Sequence, residues 1–159
     1  LCGVDLKNGR QIAGRNKPTS EFNMHLAVYR VRPEITAAFH THSPWASGVI
    51  SSGTKLKPMF AEFISGLGRT VTIPYITPTT HELAAAVEKA AKNHDTIFMV
   101  NHGLLALGLG MKQAFYRCLV VEHAAIALVA ASAAGRPRFL SARQQADLAK
   151  LSAPKHRRK

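Results

Sequence analysis

Short apolar stretches separated by polar, Gly- and Pro-bearing connections run along most of the chain, and they do so at two different periods. Residues 2–6 and 11–13 read as two short strands joined by Lys7-Asn8-Gly9-Arg10, whose Asn-Gly pair is a hairpin signal. Pro18-Thr19-Ser20-Glu21 precedes residues 22–31, where Leu26, Tyr29 and Arg30 recur at helical spacing. Thr19 or Ser20 can cap that helix, and Glu21 falls in or near its first turn, where negative charge is favoured. Pro33 stops the helix, and residues 35–42 read as a strand that runs into Ser43-Pro44.

Further on, residues 45–52 and 59–67 predict short helices around a polar connection at 53–57. Residues 71–76 predict a strand with Pro74 inside it, hence an edge or irregular strand. Thr79-Thr80-His81-Glu82 opens a helix through Lys92, with Leu83, Val87 and Ala90 on one stripe. Residues 96–100 predict a buried strand ending at His102. Residues 103–110 are Gly-rich and apolar, without an assigned period. Residues 111–134 form the longest predicted helix, closed by Gly135-Arg136-Pro137. Strands and helices mixed in this way predict an α/β fold, and the 159 residues fit one domain, 1–159, with no internal repeat. The chain starts at Leu1, inside an apparent strand, so sequence is expected to precede it.

Composition narrows the class only a little. Hydrophobic residues make up 47%, ordinary for a globular α/β protein. No uninterrupted apolar run reaches the roughly 18–20 residues of a membrane span, and 124–134 reads as part of a buried helix. Cys2 and Cys118 are too few and too scattered for a disulfide framework, which points to a reducing, cytoplasmic setting. The formal charge of +12 raises the question of a nucleic-acid partner. Apart from Lys155, Arg157, Arg158 and Lys159, however, the basic residues are dispersed, with no aromatic-basic repeat or zinc-finger spacing. A solvated basic surface with an anion-attracting cleft is the expectation.

Chemistry concentrates in two places. In Phe39-His40-Thr41-His42-Ser43, a strand puts the side chains at i and i+2 on one face, so His40 and His42 can converge. Alone, such a pair is equally one packed and one solvated histidine. The second place is Asn101-His102-Gly103, where His102 follows another apolar strand and Gly103 lets backbone approach closely. Three imidazoles at strand ends would make a three-nitrogen site with one open position, the catalytic arrangement for zinc. Glu21 is the carboxylate to set beside it. It is also explained as a helix-start acid satisfied by the orphan amides of the first turn. Thr19 and Ser20, at the same helix start, could hold a phosphate or carboxylate. His25, one turn after Glu21, either lines the cleft or packs. His81, His94, His123 and His156 are expected in structural or solvent roles.

Thr19-Ser20-Glu21 with His25-Leu26-Ala27-Val28-Tyr29, then His40-Thr41-His42-Ser43-Pro44, then Val100-Asn101-His102-Gly103-Leu104-Leu105 resembles the class II aldolase/adducin family. Pro74-Tyr75, Thr79-Thr80-His81-Glu82-Leu83 and the stretch 110–122 extend the resemblance to about Ser141. It implies an α/β/α sandwich around a mainly antiparallel sheet, assembled as a homotetramer with sites between subunits. It also implies Zn2+ (Mn2+ or Co2+ as substitutes) on His40, His42 and His102, with Glu21 as catalytic acid/base. Thr19 and Ser20 would grip a substrate phosphate. The implied reaction is cleavage of a sugar (ketose) phosphate to dihydroxyacetone phosphate and an aldehyde through an enediolate. A dehydratase or epimerase on the same metal platform, or an adducin-like interaction domain, are the alternatives. Three features depart from the family's aldolases. Two Gly-bearing phosphate loops of their amino-terminal segment have no counterpart, Phe60 stands where they carry a tyrosine, and no tyrosine occurs in the carboxyl-terminal tail.

Overall fold

The computed structural model describes residues 1–152; the basic cluster at 155–159 lies outside the described residues. A hairpin of β1 (Gly3–Val4) and β2 (Gln11–Ala13) leads in. Its turn is built as the Asn-Gly signal predicts: Gly9 adopts a positive φ of 73°, and the Asp5 carboxylate accepts from Lys7 N and Asn8 Nδ2. The remaining elements follow in order: α1 (Phe22–Val31), β3 (Ala37–Thr41), α2 (Pro44–Ser51), α3 (Ala61–Gly66), β4 (Thr70–Ile73), α4 (His81–Ala91), β5 (Thr96–Met99), β6 (Gly103–Gly108), α5 (Met111–Ala134) and α6 (Ala142–Ser152).

The main sheet has the order β3-β6-β5-β4; β6 runs antiparallel to both β3 and β5, and β4 lies parallel to β5. Pairing of Pro74 into the sheet is not observed. The strand ends at Ile73, and β4 is an edge strand as expected. Side chains alternate across the sheet with period two. Phe98, Leu104 and Ala106 face a core shared with α2, α3 and α5, containing Val49, Phe63, Val121 and Ala125. Ile97, Met99, Leu105 and Leu107 face the opposite core, with Met24 and Val28 of α1 and Leu83 and Val87 of α4. The result is the expected α/β/α sandwich. Two elements were not predicted. Strand β6 is buried on both faces from Gly103 to Gly108, so its sequence shows no apolar–polar alternation. Helix α6 is polar in composition, with mostly exposed residues, and packs against α3.

Helix α5 corrects the expectation that no stretch suits a membrane span: by length and composition its 24 residues suffice. Its packing identifies it as a core helix, since Ala114, Cys118, Val121, Ala125 and Leu128 are buried against the sheet and α2.

At the end of the sheet remote from the histidines, Asp95 joins four elements. It accepts from Arg32 Nη2 at 3.3 Å and from the Arg69 amide at 3.1 Å, and lies 3.9 Å from Arg117 Nη2. Arg117 is buried and also donates to the Leu107 and Gly66 carbonyls. Gly68, at φ 67°, passes so close that a Cβ would lie 2.5 Å from Asp95 Oδ2. Asp95→Ala leaves the Arg117 guanidinium buried without its counter-charge. It is expected to cost about 3 kcal/mol of stability, read as a shift in the urea midpoint. A loss below roughly 1 kcal/mol, the range of exposed ion pairs, would show that the network is ornamental.

Candidate metal centre

Strand β3 delivers His40 and His42 to the α1 face of the sheet, as the i, i+2 spacing predicts, with ring centroids 4.8 Å apart. The β5–β6 turn delivers His102. Asn101 takes a positive φ of 55°, which an asparagine tolerates, and the turn folds back so that the His102 amide donates to the Met99 carbonyl. The His102 ring comes within 4.9 Å of His40 and 5.1 Å of His42, centroid to centroid. Gly103 makes this approach possible: a Cβ there would sit 2.5 Å from the Thr41 carbonyl oxygen and 3.0 Å from the His42 ring. Any side chain would push the two histidine-bearing segments apart.

Glu21 closes the cluster. It occupies the N-cap position of α1 but makes no side-chain cap bond, so the helix-start reading does not account for its carboxylate. The carboxylate turns to the imidazoles instead, with Oε2 2.9 Å from His40 Nε2 and Oε1 3.1 Å from His102 Nε2. One ligand atom from each of Glu21, His40, His42 and His102 lies within 4.8 Å of the others.

The proton count of this cluster calls for a cation. His40 Nδ1 lies 3.0 Å from the Leu104 carbonyl, which only accepts, so Nδ1 carries the hydrogen and a neutral ring presents Nε2 as a bare lone pair. That lone pair lies 2.9 Å from His42 Nε2. Glu21 Oε1 and both nitrogens of His102 are buried without a properly aligned hydrogen bond. Burial, opposed by Glu21 and reinforced by His40 and His42, holds His102 below the ordinary histidine range and so favours its unprotonated form. Three imidazoles and a carboxylate converging in this state fit a divalent metal, which would satisfy Glu21 Oε1 and His102 Nε2 together.

Thr19 borders a cleft of about 360 Å³ beside His40, together with His25, Phe39 and Met111. Ser20 is exposed next to it and does not line that cleft. His25 resolves in favour of lining the site, held below its usual pKa by burial and by His40, against the pull of Glu21. His94 Nδ1 bonds the Ala90 carbonyl in its own turn, and His81 and His123 lie exposed outside the cluster. His156 lies outside the described residues. Phe39 and Met111 were not anticipated as lining residues; Phe39 adjoins His40 in sequence, but nothing marks Met111.

Two partly buried histidines with lowered pKa values set a pH dependence. The unfolded chain takes up protons near the ordinary value of 6.5, before the folded one does. Stability of the metal-free protein is therefore full above that pH and falls as pH drops through it toward the lower folded values. Urea denaturation at pH 7.5, 6.5 and 5.5 should show a descending midpoint; a flat or rising series would contradict this environment for His25 and His102.

The family model described as Class II Aldolase and Adducin N-terminal domain matches residues 1–129. The chain belongs to the class II aldolase/adducin family. A metal-dependent carbon–carbon lyase of the class II aldolase type is what this fold and this cluster define. Among its relatives, the 5-deoxy-D-ribulose 1-phosphate aldolase of Bacillus thuringiensis is 35% identical over 144 residues, covering 90% of this chain and 67% of that protein. The L-fuculose phosphate aldolase of Methanococcus maripaludis is 34% identical over 125 residues, covering 79% and 67%. A solved L-fuculose 1-phosphate aldolase structure superposes with a TM-score of 0.82 at 28% identity, covering 94% of this chain and 70% of that one. The chain thus spans about two thirds of the length of these relatives.

Proposed function

We propose that this protein cleaves a ketose 1-phosphate into dihydroxyacetone phosphate and an aldehyde. In this reading His40, His42 and His102 hold Zn2+, for which Mn2+ or Co2+ can substitute. Glu21 is the acid/base, and Thr19 and Ser20 contribute to the phosphate site. The observation that carries it is the Glu21 carboxylate, which leaves the amides of α1 uncapped and lies against the His40 and His102 nitrogens. The named activities of the relatives supply the substrate class, since 5-deoxy-D-ribulose 1-phosphate and L-fuculose phosphate are both ketose phosphates.

A divalent cation bound there supplies Lewis acidity, polarising the substrate carbonyl and stabilising the negative charge left when the carbon–carbon bond breaks. The three imidazoles serve as nitrogen donors; burial favours the unprotonated ring at His102, and the Leu104 carbonyl orients His40 with Nε2 toward the cluster. Glu21 delivers a proton to the carbon adjacent to the carbonyl after cleavage and, in the synthetic direction, removes it. Cleavage also releases the proton of the neighbouring hydroxyl. Phe60 cannot accept it, because its ring carries no exchangeable group. In this reading the proton passes to solvent water, which in turn resupplies the proton that Glu21 gives to carbon. Thr19 borders the cleft just before α1, which supports reading it as an anchor for one end of the substrate so that the reacting carbon meets Glu21.

We read residues 1–159 as one domain of a cytoplasmic homotetramer with sites between subunits. Support for the assembly comes from α5, where Phe115, Leu119, Ile126 and Val129 are each 38–50% exposed, an apolar face that suits burial against another subunit. Product analysis tests the activity. The metal-loaded protein is incubated with L-fuculose 1-phosphate and 5-deoxyribulose 1-phosphate, and products are resolved by mass. A three-carbon ketose phosphate plus an aldehyde is expected. Products with the substrate's carbon count would instead assign a dehydratase or epimerase, and a folded protein without metal or turnover would assign an interaction domain.

A further inference from the structure

The members of the histidine triad are not equally secured. His102 is buried, and His40 is fixed through its Nδ1 bond to the Leu104 carbonyl. His42 is exposed, and its ring bonds only His40 among the described residues. Its position therefore depends on the backbone that follows it. That backbone enters α2 at Pro44, two residues later.

The first turn of α2 is capped from far away in sequence. Ser43, at the N-cap, makes no cap bond, and its hydroxyl pairs with Thr41 Oγ1 at 2.9 Å. The free amides of Trp45 and Ala46 donate instead to the two carboxylate oxygens of Glu122 on α5, at 3.1 and 2.9 Å. A carboxylate that takes two amide hydrogens at a helix start is charge-assisted and also meets the positive end of the helix dipole. At the other end of α2, the Ser51 hydroxyl accepts from the Asn101 amide at 2.8 Å, in the turn that carries His102. Ala46, Val49 and Ile50 bury the face between these two anchors. One eight-residue helix thus joins the segment bearing His42 to the turn bearing His102, and Glu122 ties it to the core helix.

We propose that Glu122 is a positioning residue of the metal centre, acting through α2 to hold His42 in register with His40 and His102. This rests on the metal-site reading above. A ligand set tolerates displacements of only about half an ångström. Releasing the helix start should therefore weaken metal binding without removing any ligand. Gln at 122 keeps the shape and one acceptor oxygen but turns an NH2 toward an amide N–H. Ala at 122 removes both bonds.

The test uses cobalt(II) as the probe, with its visible ligand-field bands reporting geometry and titration reporting affinity. Parent, Glu122→Gln, Glu122→Ala and a control, Val87→Ala in the core under α4, are compared, each checked for folding by circular dichroism. Val87 is fully buried and remote from α2, so its truncation lowers general stability alone. Expected are an altered cobalt spectrum and about tenfold weaker binding for Glu122→Ala, the lower end of what supporting residues around a metal contribute. Glu122→Gln should fall in between, and Val87→Ala should match the parent. Unchanged affinity and spectrum in both Glu122 variants overturns the proposal, as does an equal change in Val87→Ala. If the parent itself takes up no cobalt, the metal-site reading fails, and this proposal with it.

Discussion

Glu21→Gln, in the metal-loaded protein, is expected to keep its metal and lose turnover by a factor on the order of 10²–10⁴, the usual worth of a positioned general acid/base. The amide preserves the shape of the carboxylate and one oxygen toward the histidines, but it cannot exchange a proton with the substrate carbon. Because Glu21 makes no cap bond to α1, the substitution leaves that helix start as it was. Stability should consequently change little, and loss of activity can be assigned to chemistry. Steady-state cleavage together with metal content and a melting curve separates the cases. Near-parental turnover in a metal-loaded, folded variant would remove Glu21 from the reaction.

His42→Ala should abolish retention of metal. Parent protein, purified without added metal, is expected to carry about one transition-metal ion per chain, and the variant close to none, since only two imidazoles remain and Glu21 in this reading serves as the acid/base, not as a standing third ligand. The loss should exceed the roughly 10–100-fold change typical of residues that only support ligands. His42 is the informative choice because it is the exposed member of the cluster, so its removal opens no core cavity. Elemental analysis checks the outcome, and equal occupancy in the two proteins would refute the ligand set.

What could be read from the sequence follows from the range of each interaction. The convergence of His40 and His42 is a consequence of strand periodicity alone and was legible. The place of His102 was legible because an apolar strand ends just before it, and Gly103 flagged the close approach now seen at Thr41. The direction of the Glu21 carboxylate was not. A helix-start acid serves its own amides as readily as a neighbouring site, and only the fold brings His40 and His102 within reach. Strand β6 escaped because a strand covered on both faces has no polar side to alternate with, and glycines at both ends resemble a loop. The cap on α2 comes from a residue more than seventy positions away, a pairing that no local pattern encodes.

In the proposed reaction the metal and Glu21 together move a proton at the carbon next to a ketose carbonyl. Proton exchange into dihydroxyacetone phosphate in D2O, followed by NMR, measures that step without requiring the aldehyde or the complete sugar. The metal-loaded protein is expected to exchange one of the two hydrogens on the hydroxymethyl carbon, and chelation or Glu21→Gln to suppress the exchange. Exchange at the uncatalysed rate in the metal-loaded parent, or exchange that survives both treatments, would contradict this mechanism.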